Sequence, residues 1–165
     1  MTDVLINKEL TLSVPEGYRL MDAVELENYF GLEYNRWGIL DKKRSIIVSV
    51  SWTDKQRLSM FADVKSMTKD AEATFKKNLK GYTRTEEFRT TVSSEKARGL
   101  KFEYITDKTE AEQAGEVVIV RFKKKFYAIY YISVKAKFAE YLPEFETMLA
   151  SIRYEDPDSK DKKKK

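Results

Sequence analysis

Residues 126–134 constrain the fold more than any other segment, because a strand with this sequence is apolar on both of its faces. Successive side chains of a strand point to opposite sides of the sheet. One face carries Phe126, Ala128, Tyr130, Ile132 and Val134, and the other carries Tyr127, Ile129 and Tyr131. A strand of this kind needs cover on both sides. The sequence therefore predicts a sheet that lies between two other layers.

A second strand and a helix flank this segment. Residues 115–122 form another strand-like run, and a turn of three lysines joins the two runs. An amphipathic helix follows directly, with its apolar stripe at Phe138, Leu142, Phe145, Leu149 and Ile152. Residues 115–152 are thus predicted to form a β-hairpin followed by a helix.

The rest of the chain alternates between strands and helices. Asp22 and Glu25 have the spacing of a capping box, which predicts a helix that begins there and ends at Gly31. A longer apolar stripe predicts a second helix over residues 58–79. Further strands are predicted at 10–14, 33–40, 45–52, 82–92 and 98–105. The fold class is therefore α+β, with an antiparallel sheet of about six to seven strands flanked by helices.

Length and charge indicate one domain and a tail. The chain has 165 residues, the length of a single domain. Residues 1–154 are predicted to form that domain, and 155–165 (EDPDSKDKKKK) a disordered charged tail. The net charge of +4 is spread over a nearly balanced surface, so no nucleic-acid partner is expected.

The cellular compartment is predicted from two kinds of segment, a signal peptide and a membrane helix. The first residues, MTDVLINKEL, lack a basic start followed by an apolar run, so no signal peptide is visible. No apolar run approaches the ~20 residues of a membrane helix. The sequence as given predicts a cytoplasmic protein, or an extracytoplasmic one if a leader has been removed. The oligomeric state stays open.

The composition excludes most catalytic chemistry. The chain has no cysteine and no histidine, which removes thiolate nucleophiles, catalytic triads and the usual zinc sites. Two S-x-x-K matches, at Ser66 and Ser93, lack the S-D-N and K-T-G elements of penicillin-binding enzymes. The carboxylate pairs Glu86–Glu87 and Glu110–Glu112 lie in polar segments, so no buried carboxylate with a raised pKa is predicted. We therefore expect no enzyme activity and no cofactor.

Two segments are candidate binding surfaces. Tyr34, Arg36 and Trp37 stand close together in the sequence, and their residue types are enriched at binding hot spots. Lys123, Lys124 and Lys125, together with residues 42–44 (KKR), have the composition of a basic patch for an acidic partner. The alternatives are that the aromatic residues belong to the core and that the two basic segments are polar hairpin tips.

The order of elements resembles the PsbP-like fold. The similar segments are LTLSVPEGY, IIVSVSW, GLKFEYI, FYAIYYISV and FETMLASIRY, which together span residues 8–154. The resemblance implies an antiparallel sheet between helices, an α/β/α sandwich. It also implies a non-catalytic accessory module whose partner is a protein. A small-molecule or lipid-binding domain with a pocket between sheet and helix is the second hypothesis, and an enzyme without histidine or cysteine chemistry is the third.

Overall fold

A seven-stranded antiparallel sheet forms the centre of the protein in a computed structural model. The structure describes residues 1–31, 35–54, 61–107 and 109–156. The strands of this sheet lie in the order β3-β4-β5-β9-β8-β7-β6. Their bounds are β3 Arg19–Leu20, β4 Arg36–Asp41, β5 Ile46–Asp54, β6 Lys80–Val92, β7 Glu95–Ile105, β8 Glu112–Phe122 and β9 Lys125–Val134.

A smaller sheet and three α-helices flank the large sheet, and a 3₁₀ turn at Lys135–Lys137 leads into the last helix. The smaller sheet has the order β1-β2-β10. Its strands and the helices are β1 Thr2–Ile6, β2 Leu10–Val14, β10 Arg153–Tyr154, α1 Ala23–Phe30, α2 Val64–Asn78 and α3 Phe138–Ala150. The predicted α+β class and the PsbP-like arrangement of a central antiparallel sheet with flanking helices are confirmed. The smaller sheet is an addition that the sequence did not predict.

Both faces of β9 are covered, as its sequence requires. On the first face, Tyr127, Ile129 and Tyr131 pack into a core shared with α3 and the smaller sheet. On the second face, Phe126 belongs to a core beneath α2. Helix α1 covers a third, smaller core on this second face, around Met21, Leu40 and Ile47. The large sheet therefore separates α3 and the smaller sheet from α1 and α2.

The first predicted helix has the bounds that its sequence indicates, and the second is shorter than predicted. Asp22 caps α1 by accepting a hydrogen bond of 2.8 Å from the Glu25 backbone N–H, and the Gly31 N–H donates to the Glu27 carbonyl. The predicted helix over 58–79 is shorter, because α2 begins at Val64 behind its N-cap Asp63. Residues 61–63 precede the helix, and Met60, with the rest of 55–60, lies outside the described residues.

Candidate functional site

Arg36 and Trp37 lie on opposite faces of β4, because consecutive side chains of a strand alternate. The Arg36 guanidinium lies 4.1 Å from the ring centroid of Phe30 and 5.0 Å from that of Tyr130, on the face that α1 covers. It also donates a hydrogen bond of 3.0 Å to Ser49. Trp37 instead packs against the core shared with α3 and the smaller sheet. The third predicted residue, Tyr34, lies outside the described residues.

Trp37 lines a groove between the two sheets. The groove has a volume of about 410 Å³. Its walls are residues of β1, β2 and the segment after it, β3 and β4: Thr2, Val4, Val14, Pro15, Glu16, Tyr18, Arg19, Leu20, Trp37 and Ile39. Leu20 pairs with Ile39 across β3 and β4, and it is 65% exposed. Leu20 therefore leaves apolar surface of the first face exposed at this end of the sheet, although its neighbour Ile39 is buried.

The groove opens between two sheet edges. β1 is the outer strand of the smaller sheet, and β3 is the outer strand of the larger one. Among the described residues, each of these strands has a neighbouring strand on one side only. Main-chain donors and acceptors on the other side of an edge strand are available to a further strand. The groove thus combines apolar side chains with open strand edges.

Arg19 pairs with Leu40 across β3 and β4, so its side chain lies on the face that α1 covers, opposite to Leu20, and a carboxylate of α1 binds it there. Its guanidinium donates two hydrogen bonds to Glu25, of 2.8 and 2.7 Å. This contact, together with the backbone N–H of Asp22, lowers the pKa of Glu25 to about 2. Glu25 is therefore ionised at neutral pH, and it offsets the positive charge of Arg19.

The tri-lysine turn is largely engaged within the chain. Lys123 forms an ion pair with Asp156, and Lys125 forms one of 2.9 Å with Glu9. The Glu9 carboxylate is buried, and it also accepts hydrogen bonds from Tyr127 and Asn7. Burial, followed by the hydrogen bond to Glu9, raises the pKa of Tyr127. Lys124 is exposed and forms no ion pair with the residues that the structure describes.

The two predicted basic segments lie at opposite ends of the sheet. Lys125 pairs with Asp54 at the end of β5, whereas residues 42–44 precede the start of the same strand at Ile46. β5 has nine residues, which at ~3.3 Å each separate its ends by roughly 26 Å. The two segments are therefore separate hairpin tips that do not form one patch.

Arg44, at the second tip, is held by an internal network. Its Nε donates a hydrogen bond of 2.7 Å to Asp41, and its guanidinium pairs with Glu144 of α3 at 3.1 Å. Tyr18 donates a hydrogen bond of 3.0 Å to the same Glu144. Gly17 has a φ of +97°, and a Cβ there would lie 3.0 Å from an oxygen of Asp41. Residues 15–18 (PEGY) thus connect the hairpin tip at Arg44 to α3, through Gly17 on one side and Tyr18 on the other.

A buried carboxylate, Glu116, was not predicted from the sequence. It lies on β8 on the face toward α3, between Lys101 and Tyr131 of the neighbouring strands, and is 3% exposed. Burial raises its pKa to about 7, against a smaller lowering effect of Lys101. The expectation that the chain has no buried carboxylate with a raised pKa is therefore wrong. A charged residue within the apolar run GEVVIV was the available signal.

The position of Glu116 does not favour catalysis at the groove. It is not among the residues that line the groove. No group of three or more aspartate or glutamate residues suited to a metal ion occurs within the described ranges. Ser66 and Ser93, from the S-x-x-K matches, lie in the capping box of α2 and in the β6–β7 turn.

None of the helices that the structure describes is long and apolar enough to cross a membrane.

Comparison of the structure with solved proteins supports the PsbP-like fold. The cyanobacterial PsbP protein CyanoP from Synechocystis sp. PCC 6803 superposes with a TM-score of 0.67 at 10% identity, over 93% of this chain and 92% of its own. LpqN of Mycobacterium tuberculosis, involved in cell envelope biogenesis, gives 0.62 at 14% identity, over 89% of this chain and 83% of its own.

A eukaryotic protein has the same fold. The Ran-binding protein Mog1p of Saccharomyces cerevisiae gives a TM-score of 0.60 at 9% identity, over 92% of this chain and 94% of its own. No protein-family model matches the sequence, and no curated protein matches it by sequence either. At these identities the similarity establishes the fold alone.

Proposed function

We propose that this chain is a non-catalytic binding module whose partner is a protein that occupies the groove at Trp37. The observation that carries the proposal is that Trp37 and the exposed Leu20 line the same groove, on a sheet face that is covered elsewhere. Large aromatic side chains next to uncovered apolar surface are typical of binding hot spots. The Ran-binding activity of Mog1p, a neighbour in fold, supports a protein partner.

The helix–sheet interfaces favour this proposal over a pocket between sheet and helix. Beneath α2, the Phe75 ring lies 4.8 Å from that of Phe102 and 6.1 Å from that of Tyr130. Beneath α3, Tyr131 stacks on Phe145 at 5.0 Å. Aromatic rings fill both interfaces at contact distance, whereas the groove lies between the two sheets.

Site-specific photo-crosslinking in the source cells tests the proposal. A photoreactive phenylalanine analogue replaces Leu20 in the groove, and in a matched protein it replaces Leu5, which is 62% exposed but does not line the groove. We expect a defined protein adduct from position 20 and not from position 5. Equal adducts from both positions, or none from position 20, contradict the proposal.

A pair of tryptophan variants provides the control for folding and for side-chain size. Trp37 and Trp52 both pack, partly buried, against the same core, but only Trp37 lines the groove. Trp37→Ala should remove the adduct at position 20, and Trp52→Ala should leave it in place. Loss of the adduct in both variants indicates a general loss of structure, which circular dichroism of each purified variant reveals.

A further inference from the structure

We propose that this chain has a second interaction surface, which binds an acidic segment of a protein. The surface, here called the arginine face, consists of Arg84, Arg89, Lys96, Arg98 and Arg121 on strands β6, β7 and β8. It lies on the side of the large sheet opposite to the groove, so it is independent of the function proposed there.

The register of β6 and β7 brings three of these side chains together. Arg89 pairs with Arg98 across the two strands. Leu100, two residues further along β7, belongs to the core beneath α2, so Arg98 and Arg89 lie on the α2 side of the sheet. Lys96 lies on the same side, about 6.6 Å from Arg98 along the strand.

The other two residues extend the arginine face along β6 and onto β8. The Arg84 guanidinium lies 3.4 Å from a carboxylate oxygen of Glu72 in α2. The Arg121 guanidinium lies 6.0 Å from the ring centroid of Phe126, which is buried in the core beneath α2. Both contacts place these side chains on the α2 side of the sheet.

The arginine face has a large excess of positive charge. Within β6, β7 and β8, which the structure describes in full, Glu87 is the only acidic residue on this side of the sheet. It lies 2.9 Å from Arg84 and 3.6 Å from Arg98. Five basic side chains therefore face one carboxylate, a net charge of +4.

Helix α2 does not neutralise this charge. Residues 63–78 contain three acidic residues and four lysines. The two carboxylates that reach the arginine face each have a lysine nearby, because Lys65 acts on Asp63 and Lys76 lies 3.9 Å from Glu72. The helix therefore leaves the excess of positive charge in place.

Two members of the arginine face have no carboxylate partner. Arg89 and Lys96 are exposed, and neither forms an ion pair with any residue in the described ranges. Arg89 also lies opposite Arg98, and like charges in this arrangement destabilise a sheet. An anion bound between the two side chains would relieve the repulsion. The pair thus favours a binding role over a structural one.

The spacing of the charges indicates an extended acidic segment rather than a single anion. Basic side chains on one strand lie about 6.6 Å apart, which is also the spacing of alternate side chains in an extended peptide. Arginine binds carboxylates through two parallel hydrogen bonds. Single-stranded nucleic acid needs aromatic rings for stacking, but Phe102 and Phe126 on this side of the sheet are buried beneath α2. An acidic protein segment is therefore the partner that this surface fits.

Fluorescence anisotropy with a labelled peptide of twelve residues, in which Asp and Ser alternate, tests the proposal. The affinity is measured at low and at high salt for the full chain and for two double variants. The first is Arg89→Gln with Lys96→Gln. The second is Lys8→Gln with Lys43→Gln, which removes the same charge at exposed positions in the β1–β2 and β4–β5 turns.

The affinity of the first variant should fall about tenfold or more at low salt, and that of the control by less than about twofold. The difference should shrink at high salt, because the contacts are ionic and exposed. Equal losses in the two variants show that net charge alone attracts the peptide, and they overturn the proposal. Absence of binding to the wild type overturns it as well.

The melting temperature of Arg89→Gln separates a binding role from a structural one. Removal of one of two facing positive charges should leave the melting temperature at or above that of the wild type, while the peptide affinity falls. A lower melting temperature together with unchanged peptide affinity shows that Arg89 serves the sheet, and it overturns the proposal.

Three further probes distinguish an acidic segment from other anions. They are a neutral peptide with one phosphoserine, a twelve-residue oligothymidylate and vesicles that contain phosphatidylglycerol. Each should bind the wild type more weakly than the Asp-Ser peptide does. Tighter binding of any of them, with dependence on Arg89 and Lys96, overturns the assignment of the partner. Photo-crosslinking at Leu20 reports on the opposite face of the sheet, so failure of one test leaves the other proposal standing.

Discussion

The ring of Phe102 on β7 lies against the Cα of Gly115 on β8, its partner across the two strands. A Cβ at position 115 would fall 2.7 Å from Cζ of Phe102 and 3.2 Å from the backbone carbonyl of Tyr131. Phe102 is buried in the core beneath α2, so its ring has little room to move. Glycine at this position is therefore a packing requirement of the sheet.

Gly115→Ala should destabilise the protein by about 2–3 kcal/mol, as overpacking of a dense core does. Urea denaturation measures the free energy of unfolding of this variant. The double variant Gly115→Ala with Phe102→Leu should lose less stability than the sum of the two single variants, because the smaller side chain leaves room for the methyl group. Additive losses would show that the Phe102 ring is not the obstacle.

Lys125 and Lys124 should differ in their effect on stability although they are neighbours in one turn. Lys125→Ala removes the cationic partner of the buried carboxylate of Glu9, which then relies on hydrogen bonds from Tyr127, Asn7 and Tyr154. We expect a loss of about 1–2 kcal/mol in the free energy of unfolding. Lys124→Ala, at an exposed position, should change it by less than about 0.5 kcal/mol. Chemical denaturation of both variants compares them, and equal losses would contradict the structural role of Lys125.

The large sheet was predictable from the sequence because its signals are local. The double apolar alternation of residues 126–134 required a sheet covered on both faces, and the capping box at Asp22 located the start of α1. The smaller sheet was not predictable in this way. Its third strand, β10, joins the β1–β2 hairpin through the pairing of Tyr154 with Leu10, which lie at opposite ends of the chain. No local pattern reports such a contact.

The candidate site was predictable only in part. Alternation along β4 already implies that Arg36 and Trp37 point to opposite faces, so the sequence contained the reason why they do not act together. The groove itself comes from strands that are distant in the chain, with Val4, Val14 and Leu20 placed beside Trp37 by the tertiary fold. Its existence therefore required the structure.

The β6–β7 hairpin contains a turn whose residues do not suit its backbone. Val92 pairs with Glu95, so Ser93 and Ser94 form a two-residue loop. Both have positive φ, of 48° and 71°. This is the pattern of a type I′ turn, which prefers Asn-Gly because other residues are strained there. Ser93→Asn with Ser94→Gly should stabilise the protein by about 0.5–1 kcal/mol.

Thermal denaturation measures the effect of the turn. The opposite change, Ser94→Val, should lower the melting temperature, since a β-branched residue tolerates positive φ poorly. An Asn-Gly variant that melts at the wild-type temperature would indicate that Ser93 and Ser94 are not strained.

The buried Glu116 should make the stability of the protein depend on pH near neutrality. Burial raises its pKa from an ordinary value of 4.5 to about 7 in the folded state. Between these two values the folded protein binds more protons than the unfolded chain. The free energy of unfolding therefore falls as the pH rises through this window, and the stabilising contribution present below pH 4.5 is lost above pH 7. The loss is on the order of 3 kcal/mol.

Glu116→Gln should remove this dependence, because glutamine has no ionised form to bury. Urea denaturation at pH 5, 6, 7 and 8 should give a flatter profile than the wild type and a higher stability at pH 8. The charged groups that face Glu116 are Lys101, Glu86 and Glu146, and they stay unchanged in the variant. Glu112→Gln, at an exposed position of the same strand, is the matched control and should keep the wild-type slope. A variant at position 116 with the wild-type slope would show that Glu116 does not titrate in this range, since no other group is altered.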